Sequence, residues 1–288
     1  MFDTISSQAS KLVKLTNRVK KNYSKTKLVT ITSGKGGVGK TTTVANLSTG
    51  LALLDYSVAV VDGDIGLRNL DLVMGLENRI VYDLVDVIEG RAQLKQALIK
   101  DKKLKAKLQL LPASQTKDKN AVTPEQMKEL VEELKKDFDY VIVDSPAGIE
   151  QGFKNAIAGA DEVIIVTNPE LSAIRDADRI VGLLDAYEKK TPKLIINRIR
   201  PDMVRKGEMI QVEEILEALE LELLGIVPDD QAVIISTNKG EAVIREENSK
   251  AAKAYENIVK RIKGEEVPLL DLEEKTTFAA KLLSIFKK

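Results

Sequence analysis

The chain has 288 residues, 43% of them hydrophobic, enough for one large α/β domain or two small ones. Its 44 basic and 44 acidic residues cancel, which argues against a whole-domain electrostatic grip on nucleic acid, so no specific nucleic-acid partner is expected. With no cysteine there is no disulfide, thiolate zinc site or iron–sulfur ligation by this chain, and with no histidine the commonest general base is missing. Chemistry is left to carboxylates, lysines, backbone amides and a hard cation.

Residues 1–27 carry seven basic residues against the single acid Asp3. Ile5, Ala9, Leu12 and Val19 fall near one helical face, so a short basic helical extension is expected there. From Leu28 the pattern changes. Val- and Ile-rich runs at Leu28–Thr32, Val58–Val61, Leu108–Leu111, Tyr140–Val143, Val163–Val166, Leu194–Ile196 and Leu223–Val227 read as strands. Several are continuous rather than alternating, as in strands buried on both faces. Helical patterns lie between them, among them Thr41–Leu54, Pro124–Lys136, Ser172–Lys189 and Val212–Leu219. Thr123-Pro124-Glu125 supplies a cap, an N1 proline and a first-turn acid. Strand then helix, repeated, predicts an α/β fold with a mostly parallel, doubly wound sheet of about seven or eight strands flanked by helices.

This domain is expected to span 28–264. Residues 265–274 hold five acids and Pro268 and read as a linker, and 275–288 carry four lysines and no acid. At about 100° per residue, Phe278, Ala279, Leu282, Leu283, Ile285 and Phe286 share an arc of roughly 160°. Lys281, Ser284, Lys287 and Lys288 face the other way with Ala280. A short cationic amphipathic helix after a linker reads as an interfacial anchor for anionic lipid. Because one such helix binds weakly, two on a dimer gain by roughly 10²–10⁴ from effective concentration. No run of about 18 apolar residues offers a spanning helix, and no signal-peptide core is visible. The expected location is cytoplasmic, becoming peripheral on the inner face of the cell membrane.

Gly34-Lys35-Gly36-Gly37-Val38-Gly39-Lys40-Thr41 matches a Walker A loop, placed between a predicted strand and a predicted helix. Its glycines let backbone amides face a phosphate, and the helix N-terminus, reaching Thr42, adds partial positive charge. Lys40 is expected on the β- and γ-phosphates and Thr41 on Mg²⁺. Asp64 and Asp144 stand at strand ends, where parallel sheets bind ligands, and are candidates for the Mg²⁺ shell or the attacking water. Asn197-Arg198 and Pro228-Asp229-Asp230 also follow strands and are candidates to frame the base. Asn238-Lys239-Gly240-Glu241 weakly resembles a guanine-reading motif but follows no clear strand end, so ATP is favoured.

The second lysine, Lys35, marks the loop as similar to the deviant Walker A family that includes MinD, ParA and the nitrogenase iron protein. The run Asp62–Asp71, with Val81-Tyr82-Asp83, Asp144–Glu150, Asn168-Pro169-Glu170, Ile174–Ile180, Ile196-Asn197-Arg198 and Ser236–Glu241, resembles the MinD branch over residues 28–270. The resemblance implies a P-loop NTPase that hydrolyses ATP, forms a homodimer when ATP-bound, holds membrane as a dimer and recruits the septation inhibitor MinC. Release would follow hydrolysis stimulated by MinE. It implies that Lys35 contacts the phosphates of the other subunit, that Asn69 lies near the attacking water, and that Arg175, Asp176 and Asp178 face partners. The extension departs from that pattern. Gln8-Ala9 and Leu12 resemble the N-terminal helix of FlhG, which leaves a flagellar-number regulator as an alternative, with a DNA-partition ATPase as another.

Overall fold

The computed structural model describes residues 26–270. The expected membrane helix, with Phe278, Lys281, Leu282, Leu283, Ile285, Phe286, Lys287 and Lys288, lies outside the described residues, as does the extension up to residue 25.

Eight strands form one sheet: β1 (Lys27–Thr32), β2 (Val58–Asp62), β3 (Ile99–Lys100), β4 (Leu108–Leu111), β5 (Tyr140–Asp144), β6 (Glu162–Thr167), β7 (Lys193–Ile199) and β8 (Glu222–Pro228). Their order is β3-β4-β2-β5-β1-β6-β7-β8. Every pairing is parallel except β3 with β4. The longer helices are α1 (Lys40–Leu53), α2 (Pro124–Leu134), α3 (Gln151–Ile157), α4 (Leu171–Ala186), α5 (Val212–Leu219), α6 (Gln231–Asn238) and α7 (Lys250–Ile262). The seven strand runs read from the sequence are all present; the two-residue β3 is an addition.

Alternate side chains of each central strand feed opposite layers, because successive Cβ atoms point to opposite faces. Val29 and Ile31 of β1, Val58 and Val60 of β2, and Ile142 of β5 pack under α1 and α7, against Val44, Leu47, Leu51, Tyr255 and Val259. Ala59, Val61, Val141 and Val143 face α2. Val163, Ile165, Leu194 and Ile196 face α3, α4 and α5. Helix α7 approaches closely: a Cβ on Gly50 would stand 2.7 Å from Val259 Cγ2, and one on Gly225 2.3 Å from Ile258 Cγ1. From the last turn of α7, the Arg261 guanidinium donates to the Val267 carbonyl, which ties the first residues of the acidic segment to the body.

Strand order reverses about β1. The chain leaves β1 for β2 on one side of β5 and later enters β6 on the other side. A crevice therefore opens above the carboxyl ends of β1, β2 and β5, where doubly wound sheets bind ligands.

Candidate functional site

The loop after β1 occupies this crevice. Gly37 and Gly39 have φ of +80° and +95°, in the left-handed region that glycine enters without a steric penalty. Gly39 is the N-cap of α1 and offers no side chain to the first-turn amides, which leaves them for an anion. Gly34 lies flat on α4: a Cβ there would stand 2.2 Å from the Asp176 carbonyl oxygen. From below, Asn197 Nδ2 donates to the Val38 carbonyl at 2.8 Å. The β7–β8 ladder breaks between Ile196 and Ile199, and Arg198 takes a φ of +58°. That irregularity accompanies the turn of Asn197 beneath the loop, while Arg198 is exposed.

Inside the crevice, Lys40 Nζ donates to Asp144 Oδ1 at 2.8 Å, and both side chains are buried. Asp62 closes β2 beside them. Its oxygens accept from the Asp64 amide at 3.0 Å and the Leu70 amide at 3.3 Å. Burial, and then the nearby Asp144 carboxylate, push the Asp62 carboxyl up to about 7. Asp64 is raised too, by burial first; Lys40 opposes the shift and Asp144 adds to it. Gly63 lets the ends of β2 and β5 meet, its amide donating to the Asp144 carbonyl at 2.9 Å.

Asp144 thus holds the buried lysine, Asp64 feels its charge, and Asp62 lies against Asp144. Asp64 Oδ1 is buried without a hydrogen-bond donor. An orphaned acceptor beside excess negative charge suits a hard cation. No group of three metal-ligating side chains forms a cage among the described residues. Mg²⁺ takes one or two protein oxygens and completes its shell with water and phosphate, and the orphaned Asp64 Oδ1 is an oxygen of that kind. Thr41, second residue of α1, stands at the same edge.

Lys35 points elsewhere. Its Nζ donates to Glu170 Oε2 at 3.0 Å and to Ser172 Oγ at 2.9 Å, at the start of α4. Arg175 and Asp178 are exposed farther along that helix, and Asp176 pairs with Arg179 at 3.6 Å. Asn69 is exposed at the N-cap of the helical turn Leu70–Val73. Of the residues proposed for the base, Pro228 ends β8 and Asp230 caps two helices. Asp230 accepts from the Ala232 amide (2.9 Å), the Ser249 hydroxyl (2.7 Å) and the Ala251 amide (3.2 Å). Burial works to raise its pKa, but these hydrogen bonds outweigh it and hold the carboxyl low. Sequence reasoning passed over Asp62, Glu170 and Ser172. The end of a buried strand signals Asp62, whereas the contact of Lys35 with Glu170 spans 135 positions and has no local signal.

Comparison with known proteins agrees with this geometry. The model of the CobQ/CobB/MinD/ParA nucleotide binding domain matches residues 29–243. The septum site-determining protein MinD of Bacillus subtilis (strain 168) is 57% identical over 260 residues, 90% of this chain and 97% of that protein. Among solved structures, the MinC:MinD cell division protein complex of Aquifex aeolicus is 47% identical with a TM-score of 0.80, covering 85% of this chain and 99% of that one. MinD of Pyrococcus horikoshii OT3 complexed with Mg-ADP is 30% identical with a TM-score of 0.74, covering 82% and 95%. With the loop, the strand-end carboxylates and these likenesses in agreement, the chain belongs to the MinD family of septum site-determining proteins, within the MinD/ParA nucleotide-binding group.

Proposed function

We propose that this chain hydrolyses ATP to ADP and phosphate, dimerises when ATP is bound, cycles on and off an anionic membrane surface and recruits a MinC-type septation inhibitor. The observation that carries the reading is the pair of lysines on one loop: Lys40 turned inward onto Asp144, Lys35 turned outward onto Glu170 and Ser172. Lys40 and the amides from Gly36 to Thr42 hold the β- and γ-phosphates. Thr41, Asp64 and Asp144 are the residues for Mg²⁺, which supplies charge neutralisation across those phosphates. Asp64 and Asn69 orient the attacking water, and the raised pKa of Asp64 brings its carboxylate closer to a useful proton acceptor. Asn197, Arg198, Pro228 and Asp230 line the side reserved for adenine, with Asn197 and Asp230 acting through the backbone they fix.

Lys35 leaves Glu170 and Ser172 to reach the phosphates of a second copy, which makes the dimer depend on ATP. Arg175, Asp176 and Asp178, on the helix that begins beside Glu170 and Ser172, receive the inhibitor and a MinE-like activator in this reading. The tail helix of residues 275–288 then holds lipid only in pairs. The flagellar and DNA-partition readings have no observation of their own among the described residues.

The test is co-sedimentation with anionic liposomes, with ATP and with ADP, of the full chain and of a chain ending at Glu274. The reading expects pelleting only of the full chain and only with ATP. Pelleting that ignores the nucleotide would remove the switch. In parallel, Lys40→Ala is expected to abolish nucleotide binding.

A further inference from the structure

A hollow of about 140 Å³ lies beyond the nucleotide site, on the outer side of α1. Its floor is Ala45 and Thr49, both buried. One wall runs from Val73 to Leu76 and the opposite wall from Gly240 to Ala242. That volume is of the order that holds a benzene-sized ring, and here Ala45, Val73, Met74, Leu76 and Ala242 supply the apolar surface beneath a charged rim.

The rim carries four cations and two carboxylates, and the carboxylates are already engaged. Asp101 accepts from the amides of Lys103 (2.7 Å) and Leu104 (3.3 Å) in its own turn. Glu241 is held by Lys103 at 2.6 Å. Arg79 donates to the Lys100 carbonyl at 2.6 Å. Arg245 is half-buried, yet neither it nor Lys102 makes an ion pair or a side-chain hydrogen bond among the described residues. After Lys103, Arg245 helps hold the Glu241 carboxyl low through its charge but makes no bond to it; a half-buried guanidinium with unbonded donors beside Ala45 and Thr49 is a receptor for an anion.

We infer that this hollow binds a small organic anion, its ring or short aliphatic body against Ala45, Met74 and Leu76 and its carboxylate on Arg245 and Lys102. The walls also connect the hollow to the nucleotide loop. Gly75 and Gly240 both have φ of +64°, and a Cβ on Gly240 would stand 2.6 Å from Gly75 Cα, so the two walls touch backbone to backbone. The first wall continues the turn that begins after Asn69 and whose Leu70 amide donates to Asp62. An anion that holds the walls therefore biases the segment carrying Asp64 and Asn69; this coupling, unlike the binding, rests on the proposed nucleotide reading.

The probe is benzoate, titrated into the nucleotide-free full chain while the methyl resonance of Met74 is followed by NMR. The expected result is a saturable shift, with neutral benzamide about tenfold weaker. Arg245→Gln is expected to weaken benzoate to the benzamide level without moving the ligand-free Met74 resonance. Absence of a saturable shift, equal binding of benzamide, or indifference to Arg245→Gln would each overturn the site. A second titration, of Mg·ADP with and without saturating benzoate, reads the coupling: a several-fold change in ADP affinity, matched by the same factor in benzoate affinity, is expected by linkage. Unchanged ADP affinity with benzoate bound overturns the coupling.

Discussion

Two lysines five positions apart on one loop sit in opposite physical regimes. The Lys40–Asp144 pair spans 2.8 Å with side-chain exposures of 8% and 2%. The Lys35–Glu170 pair spans 3.0 Å with exposures of 40% and 56%. Similar distances conceal different energetics. A buried pair cannot be broken cheaply, because the abandoned partner is left charged in a poorly solvated place. An exposed pair exchanges protein contacts for water at little cost. The loop therefore combines a fixed cation for its own phosphate site with one that is free to leave.

The largest effect is expected from breaking the buried pair. Asp144→Ala strands Lys40 and is expected to cost about 3–5 kcal/mol in the nucleotide-free protein, measured by chemical denaturation. A loss below about 1 kcal/mol would mean that Lys40 escapes to solvent, and the contrast with Lys35 would collapse.

Asp62 sharpens the same contrast through pH. Its carboxyl titrates near 7 in the fold against an ordinary value of 3.8, so the folded chain holds this proton where the unfolded chain has released it. Stability from this group is full below about 3.8 and is lost as pH rises to about 7, by an amount on the order of a few kcal/mol. Asp62→Asn in nucleotide-free, Mg²⁺-free protein is expected to flatten that decline. A pH profile unchanged from the parent would assign the slope to another group.

The buried half of the site was far more legible in the sequence than the exposed half. Gly37 and Gly39 write the loop's backbone conformation into the chain, and buried Val and Ile runs fix where Asp144 ends its strand and where Asp62, passed over as a site residue, ends the other. Helix α5 has the bounds its periodicity predicts, Val212–Leu219. Helix α7 carries a periodic apolar stripe, Ala251, Ala254, Tyr255, Ile258 and Ile262, but its buried alanines gain little from their own size. It gains burial instead from close approach to Gly50 and Gly225, a property of the assembled fold. Likewise nothing near Asn197 announces that its amide supports Val38, 159 positions away. Strand β3 has two residues, too few for any periodic signal.

An intermediate effect is expected where the buried half is braced from outside. Gly240→Ala places a Cβ 2.6 Å from Gly75 Cα at a φ of +64°. The expected cost is about 1–3 kcal/mol, read from the denaturation midpoint. A neutral substitution would show that the two loops part readily, and that the segment bearing Asn69 is as releasable as Lys35.

The smallest stability effect belongs to the outward lysine. Glu170→Gln and Lys35→Ala are each expected to change stability by no more than about 0.5 kcal/mol, since water and salt replace an exposed pair. Their functional effects should differ. Lys35→Ala is expected to retain ATP binding by the monomer but to lose the ATP-dependent dimer, followed by light scattering. Glu170→Gln keeps the lysine and removes the charge that holds it, so its dimer is expected to form at lower protein concentration than the parent's. If Lys35→Ala costs more than about 1 kcal/mol of stability, the pair is part of the fold. If instead both variants dimerise as the parent does, Lys35 serves neither copy's phosphates, and the division of labour along the loop fails at its exposed end.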